Sequence, residues 1–156
     1  MIHEIRHDAQ LLAILIPGDH HFQGIQFITP NELSQQLAYM QYGAGKVIAA
    51  HVHNPVPRAV TFTRETLFVR KGKVRMDLYT DDHQYIKSYL LGTGDVVLLV
   101  SGGHGFEILE PTEMIEVKQG PYPGVEDKTV FATVDSTKIS FEATEVKISP
   151  KALQAL

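Results

Sequence analysis

The stretch "TLFVRKGKVRMDLYTDDHQYIKSYLL", Thr66 to Leu91, constrains the fold more than any other part of the chain. Within it Val74, Met76 and Leu78 alternate with Lys73, Arg75 and Asp77, which is the period of two that a β-strand with one buried face requires. Thr80 to His83, "TDDH", then reads as a hairpin turn between two strands. Apolar runs of strand length recur between turn residues elsewhere, as in "VIAAHVH", "DVVLLV", "FEIL", "EMIEVKQG" and "TVFATV". This punctuation predicts an all-β sandwich or barrel. In "TPNELSQQLAYMQYGAG", Thr29 and Glu32 have the spacing of a capping box, so the segment predicts a brief helical turn followed by a strand.

A chain of 156 residues, 44% hydrophobic and 21% charged, is the size of one domain. The expected organisation is a single domain over 1–156, with a core over about 37–117, N-terminal strands in 1–36 and a C-terminal extension over 118–156. The net charge of −4 comes without a long basic run, which argues against nucleic acid or an anionic membrane as a partner. With no cysteine there are no disulfides or thiolate ligands, so a metal would need N and O donors. The apolar run Leu11 to Ile16 follows a charged start and is too short for a membrane span or a signal peptide, so a cytoplasmic location is expected. "PYPGVEDK", Pro121 to Lys128, reads as an irregular excursion. The tail from Lys138 to Leu156 reads as a strand followed by a short helix, suited to packing on a neighbouring subunit.

The candidate site begins with His51 and His53. On a strand, residues i and i+2 share a face, so the two imidazoles would point the same way. Glu65 shares its face with Leu67 and Val69, which aims its carboxylate toward the interior, where it needs a partner. His104 follows the glycine pair Gly102 and Gly103 and shares its face with Phe106 and Ile108. Three imidazoles and one carboxylate suit a single divalent Fe, Mn, Ni or Zn ion.

These residues also carry a resemblance. Gly45, "KVIAA" and "HVH", then Glu65, "TLFVRK" and Gly72, match the two halves of the first motif of the cupin superfamily, with eleven residues, "NPVPRAVTFTR", between His53 and Glu65. Gly94, "DVVLLVSGG" and His104 follow the second motif, with Val100 at its proline position and the histidine one residue early. The chain thus resembles a small single-domain cupin over about Leu37 to Val117. The "EVKQGPYPG" segment is similar to the ending of small cupins found with carbohydrate biosynthesis proteins. The resemblance implies a jelly-roll β-barrel (a double-stranded β-helix), with His51, His53, Glu65 and His104 as ligands of one divalent transition metal. It also implies a small-molecule substrate, metal-assisted isomerisation or dioxygenation, and a homodimer.

Other readings stand beside this one. The related sugar-nucleotide epimerases and ketoisomerases work without metal, with histidine as general base. In that case Tyr39 or Tyr42 would be the acid and Arg58 a phosphate anchor. A non-catalytic sugar- or metabolite-binding module is a third. Residue by residue, His51 and His53 could be surface histidines, Glu65 a cross-strand partner of Arg58, Arg64 or Arg70, and His104 a core histidine bonded to a carbonyl. The aromatic residues Tyr39, Tyr42, Phe62, Phe68 and Phe106 are expected to pack in the core or line the cavity.

Overall fold

The computed structural model of the protein describes residues 1–141. Ten strands make up most of its regular structure: β1 His3–His7, β2 Gln10–Ile16, β3 Gly24–Phe27, β4 Ala38–Gln41, β5 Glu65–Lys71, β6 Lys73–Tyr79, β7 Tyr85–Gly92, β8 Val96–Leu99, β9 Gly103–Ile108 and β10 Glu113–Lys118. They form a five-stranded sheet in the order β1-β2-β8-β5-β10, a three-stranded sheet β7-β6-β9 and the separate hairpin β3-β4. All ladders between these strands are antiparallel. Among the described residues the two larger sheets do not close into a barrel.

Alternation explains how the two sheets meet. Leu15, Val97 and Leu67 lie in register across β2, β8 and β5, and Met76 and Leu78 face them from β6 in one buried cluster with Leu12, Leu91 and Leu99. Burying each such side chain contributes on the order of 1.5–3 kcal/mol. The opposite face of the five-stranded sheet is covered by a second layer, in which Ile28, Leu33 and Leu37 pack on Ile14, Leu98 and Val100.

Tight turns are set by residues whose geometry demands them. Gly72, between β5 and β6, has φ of +89°, and a Cβ there would run into the Pro111 carbonyl. Asp95, after Gly94, accepts the Gly18 amide at 2.8 Å and the Gly92 amide at 2.7 Å, pinning the entry to β8. The "TDDH" turn forms as expected, with the His83 amide on the Thr80 carbonyl at 3.0 Å.

Four expectations need correction. "VIAAHVH" is not a strand: residues 42–64 form an irregular segment in which Val47 is 79% and Val52 85% exposed. Strand propensity needs a ladder partner to become a strand, and Pro55 and Pro57 close by cannot donate to one. "TVFATV" is also irregular, because the Val134 amide is taken by the Tyr79 hydroxyl at 3.0 Å rather than by a neighbouring strand. Thr29 does not form a capping box: its hydroxyl accepts the Leu37 amide at 3.0 Å and bonds the Gln36 side chain, closing a turn rather than starting a helix. Asp77, on the face expected to be solvated, is 2% exposed.

Asp77 is buried because residues 131–141 fold back over the outer face of the β7-β6-β9 sheet. Arg75 makes a two-pronged contact to Asp77 at 2.8 and 3.0 Å, and the Ser88 hydroxyl donates to the same carboxylate at 2.5 Å. Arg75 also pairs with Glu107, and Tyr85 links Ser88 to the backbone of Ser140. The Ser88 amide donates to the Ser140 carbonyl at 2.9 Å. The predicted strand and helix of the C-terminal tail fall largely in residues 142–156, outside the described part.

Candidate functional site

Glu65 is the first residue of β5 and lies on the core-facing row with Leu67 and Val69, both buried. His104 is the second residue of β9 and pairs in register with Leu78, on the same inward row as Phe106 opposite Met76. The two residues come from different sheets, and they meet: His104 Nε2 is 3.0 Å from Glu65 Oε2, with side chains 32% and 18% exposed. Alternation turns both side chains inward, since each continues an apolar row to the end of its strand, and the register of the two sheets brings those strand ends together.

The surroundings of Glu65 hold it in place. Arg64 before it donates its amide to Gln119 at 2.7 Å and its guanidinium to Ser34 at 2.5 Å, and Thr66 after it accepts from Gln35 at 2.9 Å. Across the ladder Lys118 stands opposite Glu65 with its ammonium 3.6 Å from Oε1, 3.3 Å from Glu116 and 3.9 Å from Asp127. Asp127 in turn accepts the Thr63 hydroxyl at 3.0 Å, tying the excursion after β10 to the end of the 42–64 segment.

The electrostatics favour an ionised carboxylate. The hydrogen bond from His104 holds Glu65 below the ordinary carboxylate range, against burial, which pushes the other way; the charges of His104 and Lys118 add to the lowering. Lys118 was not foreseen as part of the site. A signal existed in "EMIEVK", where an extended strand puts Glu116 and Lys118 on one face, but its pairing with β5 is a long-range fact.

The remaining predicted residues lie elsewhere. His51 and His53 are in the exposed 42–64 segment, edge to face with ring centroids 5.2 Å apart. His51 Nδ1 is 2.9 Å from the Ala49 carbonyl, which leaves Nε2 free to act as a ligand. Tyr39, on β4, is edge-on to His20 at 4.9 Å and lines a cleft of about 250 Å³ with His20, His21, Phe68 and Val96, on the outer face of the five-stranded sheet. Tyr42 lies under Lys46 at 5.9 Å, and Arg58 donates to its own segment at the Val56 carbonyl. Phe106 packs against the core while Phe62 and Tyr42 are exposed.

Among the described residues, no group of three or more His, Asp or Glu side chains is gathered closely enough to hold a metal ion. Glu65 and His104 are adjacent donors of the right chemistry, but His51 and His53 do not stand beside them. Comparisons of the chain with protein-family models, curated proteins and solved structures find no match. No helix among the described residues is long and apolar enough to cross a membrane.

Proposed function

We propose that the protein is a metal-binding cupin of the jelly-roll type that acts on a small polar or sugar-like molecule. The observation that carries the reading is the meeting of Glu65 and His104 from separate sheets at 3.0 Å. They bring an oxygen and a nitrogen atom together at one end of the sandwich, and a metal bound there would displace the Nε2 proton that His104 shares with Glu65. Their neighbourhood attracts cations, since Glu65, Glu116 and Asp127 surround the single ammonium of Lys118.

In this reading His51 and His53 complete the ligand set. The support is chemical: their rings are adjacent, Nε2 of His51 is free, and their apolar segment lacks a sheet partner. β9 is an edge strand of its sheet, so an extended segment laid along it would bring two imidazoles toward His104. A bound divalent Fe, Mn, Ni or Zn ion would supply a positive charge that polarises a chelating carbonyl or hydroxyl, or, as iron, a site for dioxygen. The chain's own residues do the rest. Glu65 stays ionised, His104 is oriented by it, and Lys118 offsets the carboxylate charge.

The same pair supports a second, metal-free reading, in which a carboxylate-oriented histidine shuttles a proton on a small ligand. Elemental analysis of protein purified without chelator or histidine tag separates the two. The metal reading expects close to one equivalent of a transition metal, lost in His51→Ala and strongly reduced in Glu65→Gln. Absence of metal from a folded wild-type protein would remove it and leave the acid–base pair. Among the described residues β1 and β10 are the edge strands of the larger sheet, and these with the exposed apolar side chains of 42–64 favour a homodimer, which light scattering would check.

A further inference from the structure

We propose that Phe131 is a positioning residue for His104, acting through the backbone of Gly103; the functional weight of this rests on the reading of Glu65 and His104 as a site. His104 is delivered by the turn Ser101 to Gly103. Ser101 is anchored, its hydroxyl donating to the Leu11 carbonyl at 2.7 Å and accepting from Gln10 at 3.0 Å, but the two consecutive glycines after it have little conformational restraint of their own and depend on what packs against them.

The glycines admit close neighbours. Gly102 has φ of +74°, and a Cβ there would lie 2.5 Å from the Tyr79 carbonyl oxygen. At Gly103 a Cβ would lie 2.8 Å from Cζ and 3.3 Å from Cε1 of Phe131, and 3.2 Å from the Cβ of Tyr79. The Phe131 ring therefore rests against the backbone immediately before His104. That ring is itself held on two sides. It meets Tyr79 edge to face at 5.1 Å and stacks on His83 at 4.3 Å and 9°, while the Tyr79 hydroxyl accepts the Val134 amide.

The wedge of Tyr79, Phe131 and Gly103 thus connects the 131–141 strap to the first ladder pair of β9, Tyr79 with Gly103. Removing the ring opens space beside Gly103 and frees the glycine turn, so His104 loses its aim at Glu65. Hydrogen-bonding partners of metal ligands typically change metal affinity by about 10–100-fold, and a packing contact one residue removed from the ligand belongs at the bottom of that range.

The test compares wild type, Phe131→Ala, Phe131→Leu, Gly103→Ala and Glu65→Gln. The readouts are the His104 ring cross-peak in NMR spectra and the dissociation constant for cobalt(II) added alone. Asp135→Ala, which removes a cap elsewhere on the strap, is the control. The expected result is that the His104 signal of Phe131→Ala and Gly103→Ala moves toward its position in Glu65→Gln, that Phe131→Leu restores most of the wild-type position, and that Asp135→Ala leaves it unmoved. Cobalt affinity should fall about tenfold in Phe131→Ala. A His104 signal in folded Phe131→Ala or Gly103→Ala that coincides with wild type would overturn the proposal, as would an equal displacement in Asp135→Ala. If Phe131→Ala does not fold, Gly103→Ala and Phe131→Leu decide. If wild type binds no cobalt, the metal reading fails while the ring signal still decides the positioning.

Discussion

The strands of the sandwich and the 42–64 segment are written in similar residues, yet one is buried and the other exposed. β6 places Val74, Met76 and Leu78 at 0–1% exposure, while Val47, Ile48 and Val52 in "KVIAAHVH" face outward. The difference is not propensity. β6 has β7 on one side and β9 on the other, so each of its backbone groups finds a ladder and each apolar side chain finds an opposing sheet. The 42–64 segment has the pattern without a strand partner among the described residues. Apolar periodicity therefore records a readiness to pair, and long-range topology decides whether it is used.

The largest effect is expected from removing the buried charge beneath the strap. Asp77→Ala takes from Arg75 its two-pronged partner and from Ser88 its acceptor, and by urea denaturation should cost toward the lower end of about 3–5 kcal/mol, since Glu107 still pairs with Arg75. A change below ~1 kcal/mol would mean that the strap does not seal that face. Next comes a matched pair of truncations. Leu91→Ala in the core should destabilise by about 2–5 kcal/mol, whereas Val52→Ala should stay within about 0.5 kcal/mol. A large effect at Val52 would show that the segment is packed in solution and erase the contrast.

The site offers a finer probe. Glu65 has a folded-state pKa below its unfolded value, so the stability it contributes is present above the ordinary carboxylate pKa of about 4.3. That contribution is lost as pH falls through the lower folded value. Glu65→Gln should thus be less stable than wild type at pH 6 by up to ~1 kcal/mol, given the partial exposure, and the gap should narrow progressively as pH falls below the ordinary carboxylate pKa of about 4.3. A gap constant with pH would place the effect in packing rather than charge. The smallest effect is expected at the surface pair of Arg6 with Glu4, both about half exposed. There Glu4→Gln should change stability by no more than about 0.5 kcal/mol.

Much of this architecture could be read from the chain. The buried row Val74, Met76 and Leu78 of β6 and the inward direction of Glu65 and His104 follow from a period of two, and the "TDDH" turn follows from its turn residues; these stand as expected. What could not be read was pairing. Nothing in "VIAAHVH" or "TVFATV" says whether an edge is available to them, and both are irregular here. The alternation likewise assigned Asp77 to solvent, because a covering segment more than fifty residues away leaves no local trace. Of the candidate ligands, the two on strands of the sandwich meet and the two on the unpaired segment stand apart. Sequence periodicity gives direction along a strand, and only the ladders give distance.

The meeting of Glu65 and His104 has a mechanical side. The five-stranded and three-stranded sheets face each other through apolar contacts, which resist compression but allow sliding more readily than a ladder does. A bond between side chains at the rim of two such plates acts as a gauge of their relative position. Widening the core by a methylene near Leu78 or Leu99 would be registered at the rim as a longer gap between carboxylate and imidazole. The volume of the hydrophobic interior is therefore coupled to the spacing of the polar pair, because Leu78 and Leu99 are the cross-strand neighbours of His104 and Glu65.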